Sequence, residues 1–172
     1  MRHFSVPYNN DRLFFSKFEN KLQYVNFFKE LYFSISNKWT GSGRSIPQAE
    51  DYEAEIVEIT HEAKSKNIEC NMLLNAGCLG LKLSDKNFIK DILNYLSSLV
   101  EKANIDVITV ADYFLAKELK KAFSTIKLEC SSIAYINSLT KAEYWVNIGC
   151  DILVIPTVLN KDLKLIQEFR KE

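Results

Sequence analysis

The chain has 172 residues, 47% of them apolar and 26% charged, which fits one domain with a real core. Lys plus Arg and Asp plus Glu both number 22, so there is no general pull toward nucleic acid or an anionic membrane. Five Gly and three Pro argue against disorder, and no apolar run approaches the roughly 20 residues that span a bilayer.

The pattern is strand then helix, six times. Phe4 to Tyr8 reads as the first strand, stopped by Asn9-Asn10-Asp11, with a helix through Leu13, Phe14, Phe18 and Leu22 after it. Leu31 to Ile35 reads as the second strand. Its polar loop runs from Ser36 to Arg44, and Pro47 suits the first turn of a helix through Ala49, Tyr52, Ile56, Val57, Thr60 and Ala63. Ile68 to Leu74 is the third strand, ending in Asn75-Ala76-Gly77-Cys78-Leu79-Gly80. Ser84 is placed to cap a helix whose stripe of Phe88, Ile89, Ile92, Leu93, Leu96, Leu99 and Val100 has a period of about 3.6. Asp106 to Ala111 forms the fourth strand, ending at Asp112, and a helix follows from Tyr113 to Phe123. The fifth strand lies within Lys127 to Ile136. Ser138 caps the next helix and Gly149 ends it. Asp151 to Ile155 is the sixth strand, apolar enough for burial on both faces, and Asn160 is placed to cap a last helix through Leu163, Ile166 and Phe169.

Strands alternating with helices imply parallel pairing and right-handed crossovers. No Gly/Ser linker divides the chain, so residues 1–172 read as a single domain. The expected fold is a TIM-like (β/α) barrel with six βα units present. A closed barrel takes eight units, typically about 250 residues, so this one is incomplete or completed by a partner. A doubly wound open sheet is the alternative, with its site at a topological switch point.

Sites in such barrels gather at the C-terminal strand ends. That geometry selects Asn9, Asn10, Asp11, Asn37, Arg44, Asn75, Cys78, Asp112, Ser131, Ser132 and Asn137. Gly41-Ser42-Gly43-Arg44 can form a backbone anion nest with Arg44 as a bidentate partner, or simply a solvated loop. Asn75 is suited to orient an amide or carboxylate, and Asn9 and Ser132 to contact a ligand. Cys78, as thiolate nucleophile or metal ligand, and Asp112, as general base or cation ligand, are the catalytic candidates; for Asp112 the plain helix-cap role is the favoured reading. One of Ser131 and Ser132 should face the barrel interior, since side chains alternate along a strand. The only histidines are His3, at the chain start, and His61, near a helix end on the far side of the barrel. No Ser-His-Asp or Cys-His pairing emerges. Cys70 and Cys150 begin strands and lie away from Cys78, so neither a metal site nor an iron–sulfur cluster is expected in this chain alone. The dense aromatics Phe14, Phe15, Phe18, Tyr24, Phe27 and Phe28 fit core packing better than nucleic-acid contact.

Several segments, in order, resemble peptidase family U32, the collagenase-like peptidases. Thr60-His61-Glu62-Ala63 before the third strand, Asn75 at its end, Val110-Ala111-Asp112, Ser131-Ser132 with Asn137-Ser138, and Gly149 to Val154 look like that family's motifs. The resemblance implies a barrel. It also implies peptidase activity, or modification of RNA or a small molecule as in other relatives. The family's His-Gly and cysteine signature follows the sixth strand and falls beyond Glu172. A non-catalytic binding or assembly module is therefore the alternative to an enzyme. The exposed edges of the first and sixth strands invite a homo-oligomer or a complementary subunit. A cytoplasmic location is expected, because no leader segment is recognisable.

Overall fold

In the computed structural model, residues 3–19, 27–35, 41–43 and 51–170 are described. Six strands form one sheet in the order β1-β2-β3-β4-β5-β6, and every pairing is parallel. They are β1 (Phe4–Pro7), β2 (Phe28–Phe33), β3 (Glu69–Leu74), β4 (Val107–Val110), β5 (Lys127–Cys130) and β6 (Ile152–Leu153). The helices are α1 (Phe14–Glu19), α2 (Tyr52–Ser65), α3 (Lys86–Lys102), α4 (Tyr113–Ala122), α5 (Leu139–Asn147) and α6 (Leu163–Phe169). A doubly wound sheet reverses its strand order once. This sheet never reverses, so it is the wall of a TIM-like barrel, curled into an incomplete one.

The two faces of the sheet differ in chemistry. Leu31, Phe33, Cys70, Met72, Leu74, Ile108, Val110, Leu128 and Cys130 point outward into the core shared with the helices. The helices meet them with Ile56, Ile59 and Ala63 of α2, Ile92, Leu96 and Leu99 of α3, and Leu115, Ala116 and Leu119 of α4. The alternate residues point inward and are mostly polar. Near the first strand, Tyr8, Phe14, Phe15 and Phe28 pack together with ring centroids 5.1–6.2 Å apart, so Phe14, Phe15 and Phe28 are core as expected, whereas Phe27 is exposed.

Several elements differ from expectation. β2 starts at Phe28, which pairs with Phe4 across a register shift in β1, and it ends at Phe33 rather than Ile35. β5 stops at Cys130. Ser131 accepts from the Ile133 N–H at 3.3 Å and turns the chain into a 3-10 segment, Ser132–Ala134, which Tyr135 ends at φ 53°. α3 is capped by Asp85, which accepts from the Asn87 N–H at 2.8 Å, because Ser84 closes a 3-10 turn begun at Gly80. The cap of α6 is Asp162 rather than Asn160. β6 is two residues long and half-buried, not buried on both faces, because no strand among the described residues covers its outer edge. Ser138 and Gly149, by contrast, bound α5 as expected, and Gly149 takes φ +90°.

At the bottom of the sheet two identical clamps recur. Asp106, just before β4, donates its N–H to the Cys70 carbonyl at 3.0 Å and accepts from the Cys70 N–H at 2.8 Å, while Lys64 at the end of α2 pairs with it. Asp151, just before β6, exchanges the same two bonds with Leu128, each 2.8 Å, while Lys120 at the end of α4 pairs with it at 2.8 Å. His61 lies on this side too, its Nε2 donating to the Lys102 carbonyl at 2.9 Å, where the end of α3 is electronegative.

Candidate functional site

The inward-facing residues enclose a cleft of about 490 Å³. Its floor is a polar quartet drawn from the middle of four strands: Glu30 of β2, Asn71 of β3, Thr109 of β4 and Glu129 of β5. Asn71 Nδ2 donates to Glu30 Oε2 at 3.2 Å and to Glu129 Oε1 at 3.4 Å. Thr109 Oγ1 lies 2.7 Å from Asn71 Oδ1 and 2.9 Å from Glu129 Oε1. A threonine hydroxyl carries one hydrogen, and both neighbours are acceptors when Glu129 is ionised. With Glu129 ionised, the single Thr109 hydrogen can serve only one of the two acceptors, whereas a proton on Glu129 would satisfy both contacts. Burial pushes the Glu129 carboxyl above the usual glutamate range, and the Glu30 carboxylate pushes the same way, against the bonds from Thr109 and Asn71.

The upper rim is a hydrogen-bond strap centred on buried Asn75. Its Oδ1 accepts from the Gly43 N–H at 2.9 Å and the Ser42 hydroxyl at 3.3 Å, and its Nδ2 donates to Ser131 Oγ at 3.1 Å. Ser34 and Ser42 share a further bond of 2.6 Å. The strap ties the loop after β2 to the end of β5, passing over β4. Gly43 meets Ile133 there, and a Cβ on Gly43 would lie 2.6 Å from Ile133 Cδ1.

Of the residues expected to form a site, Asn75, Ser131 and Ser132 line this cleft. Ser131 and Ser132 both do so, although only one was expected, because the turn after Ser131 swings its neighbour inward as well. Asn75 spends its amide on the strap, and the Gly43 N–H is committed to it rather than open as an anion nest. Cys78 is exposed and lies outside the cleft lining. Asp112 caps α4, accepting from the Leu115 N–H at 2.9 Å. Asn9 is exposed beside β1, away from the lining. Asn10 and Asp11 serve local structure: with its amide nitrogen toward Glu55, Asn10 donates at 2.7 Å, and Asp11 pairs with Lys17 at 2.5 Å. Asn137 is exposed. Arg44 and Asn37 lie outside the described residues.

Burial raises the other three thiols, Cys70 to about 12, Cys150 to about 11 and Cys130 in the same direction, so they stay protonated and unreactive. Among the described residues no three His, Cys, Asp or Glu side chains converge on a point that could hold a metal ion. The floor quartet escaped sequence reasoning, which looked only at strand ends. The available signal was a polar residue at alternate, inward positions of otherwise apolar strands, as in Glu-Cys-Asn-Met and Val-Ile-Thr-Val.

The sequence model of peptidase family U32 matches residues 44–171. The chain belongs to peptidase family U32. An uncharacterized protease of Methanocaldococcus jannaschii is 24% identical over 156 residues, covering 90% of this chain and 45% of that protein. A solved U32 peptidase superimposes with a TM-score of 0.77 at 15% identity, over 99% of this chain and 65% of the other. An α-galactosidase from Lactobacillus brevis superimposes with a TM-score of 0.63 at 9% identity, over 99% of this chain and 32% of that one, and shows the barrel wall alone. The chain thus spans about half of the Methanocaldococcus jannaschii protease and about two thirds of the solved U32 peptidase. No described helix is long and apolar enough to cross a membrane.

Proposed function

We propose that this U32 chain is a peptidase-like barrel wall whose cleft holds a peptide segment. The observation that carries the reading is the cleft itself: a floor of hydrogen-bonding groups, an apolar wall from Leu73, Ile133 and Val154, and a strap that fixes its upper limit. Peptides present alternating polar backbone and side chains, which such a mixed lining suits. RNA is disfavoured because the described lining carries two acidic side chains and no basic one to meet phosphate. Within the described lining the chemistry is proton exchange and hydrogen bonding; neither Cys78 nor Asp112 faces it. The test is a fluorescent peptide library screened for both binding and cleavage, with Asn75→Ala as the companion variant. Binding that weakens at least tenfold in the variant supports the reading. No binding by any peptide overturns it.

The edge of the sheet favours a second reading, in which another chain docks beside β6. A groove of about 400 Å³ lined by Leu139, Ala142, Val146, Leu153 and Phe169 runs along that edge. Dimers or higher species by light scattering, dispersed by Leu153→Lys, would support it. A monomer at high concentration would exclude it.

A further inference from the structure

The floor acids differ from four other acids of the molecule, each of which is held by a cation. Glu55 is engaged by Arg12 at 3.0 Å, Asp106 by Lys64, Asp151 by Lys120 at 2.8 Å, and Glu69 by Lys127 at 2.5 Å. Glu30 and Glu129 have no cation among the described residues, only the Asn71 amide and the Thr109 hydroxyl. Those bonds occupy Glu30 Oε2 and Glu129 Oε1, and the second oxygen of each carboxyl makes no hydrogen bond to a described residue. With Glu129 ionised, the single Thr109 hydrogen also leaves one of its two contacts unsatisfied. An acid pair of this kind resists holding two charges without a positive group between them.

We infer that the floor selects a ligand carrying a cationic nitrogen, a basic side chain or a free amino terminus, and that its entry drives one proton off Glu129. The inference rests on the peptide reading of the cleft. In the empty cleft a proton on Glu129 completes the quartet's hydrogen bonds. When an ammonium or guanidinium group reaches the two second oxygens, both carboxylates become ionised around it. The proton leaves to solvent, and the Thr109 hydrogen turns from Asn71 Oδ1 to Glu129 Oε1. Glu129 and Glu30 are then the specificity-determining residues, and Thr109 and Asn71 position them. The charged groups around Glu129 are few. Glu30 faces it from β2 across the floor. Glu69 of β3 and Lys127 of its own strand pair with each other lower down, and Asp106 before β4 and Asp151 before β6 are held by their lysines at the bottom of the sheet.

The probes are acetyl-lysinamide, its neutral analogue acetyl-norleucinamide, and alanyl-alaninamide, which has a free amino terminus and no basic side chain. Binding is followed by amide chemical shifts of the lining residues and by calorimetry in two buffers of different ionisation enthalpy. The expected result, measured at about pH 5 where a raised glutamate still holds part of its proton, is binding of acetyl-lysinamide or alanyl-alaninamide at least tenfold tighter than the norleucine analogue, with a net release of protons. Which of the two binds tells side chain from terminus. Glu129→Gln should abolish the proton release and weaken binding about tenfold, while Glu30→Gln weakens binding and reduces the release. Equal binding of the norleucine analogue, binding by wild type without proton release, or no effect of either substitution overturns the inference while leaving a peptide cleft in place. Failure of all three probes, with library peptides still bound, overturns it as well. Failure of library peptides too overturns the peptide reading with it.

Discussion

At Glu129 a single buried proton links site and stability. The folded protein holds that proton more tightly than the unfolded chain does, because burial and Glu30 disfavour its charge. Stability therefore falls as pH rises from the ordinary glutamate value of 4.5 through the higher folded value. Glu129→Gln removes the loss. Its melting temperature should gain on wild type as pH rises above about 4, and a constant difference would contradict this sign. Gly149 is constrained differently. Its φ of +90° suits glycine alone, and a Cβ there would meet the Lys120 side chain at 3.1 Å. Gly149→Ala should cost about 1–3 kcal/mol in denaturant unfolding, chiefly from backbone strain.

At the level of elements, the bottom clamps are the clearest case of a side chain completing a sheet. Asp106 accepts from the Cys70 N–H of β3 in place of a strand carbonyl, at the end where the sheet is covered by helix termini. Asp106→Ala leaves that donor and Lys64 without their acceptor and should cost about 2 kcal/mol; Asp106→Asn, which retains the backbone bond, should cost less. The elements themselves were largely legible in the sequence. The stripe of Ile92, Leu96 and Leu99 marked α3, and Asp112 and Ser138 marked helix starts. Boundaries failed where local side-chain bonds decided them. The Ser131 hydroxyl ended β5 early, and Asp85 took the cap from Ser84. Nothing in the apolar pattern of residues 127–136 records that turn.

For the whole molecule, the regular alternation narrowed the fold to a barrel or a doubly wound sheet, and the strand order in the folded sheet decides for the barrel. The site was legible only at its rim. Asn75 and Ser131 were found because they end strands, whereas Glu30, Asn71, Thr109 and Glu129 sit mid-strand and meet only once the sheet curls. The core on the outer face is continuous from Phe28 to Trp145. Unfolding followed by fluorescence and by circular dichroism should therefore give coincident transitions, a single cooperative unit. Leu96→Ala, at a fully buried position of α3, should shift both together by about 2–5 kcal/mol.

The paired clamps also bear on how the chain reaches this structure. The Cys70–Asp106 clamp spans 36 residues and the Leu128–Asp151 clamp 23, and the two do not overlap in sequence. Each closes a short loop around one helix and two strands, so each carries a small entropic cost and depends on no distant contact. The wall can then assemble in vectorial order, one two-strand module completing before the next emerges from the ribosome.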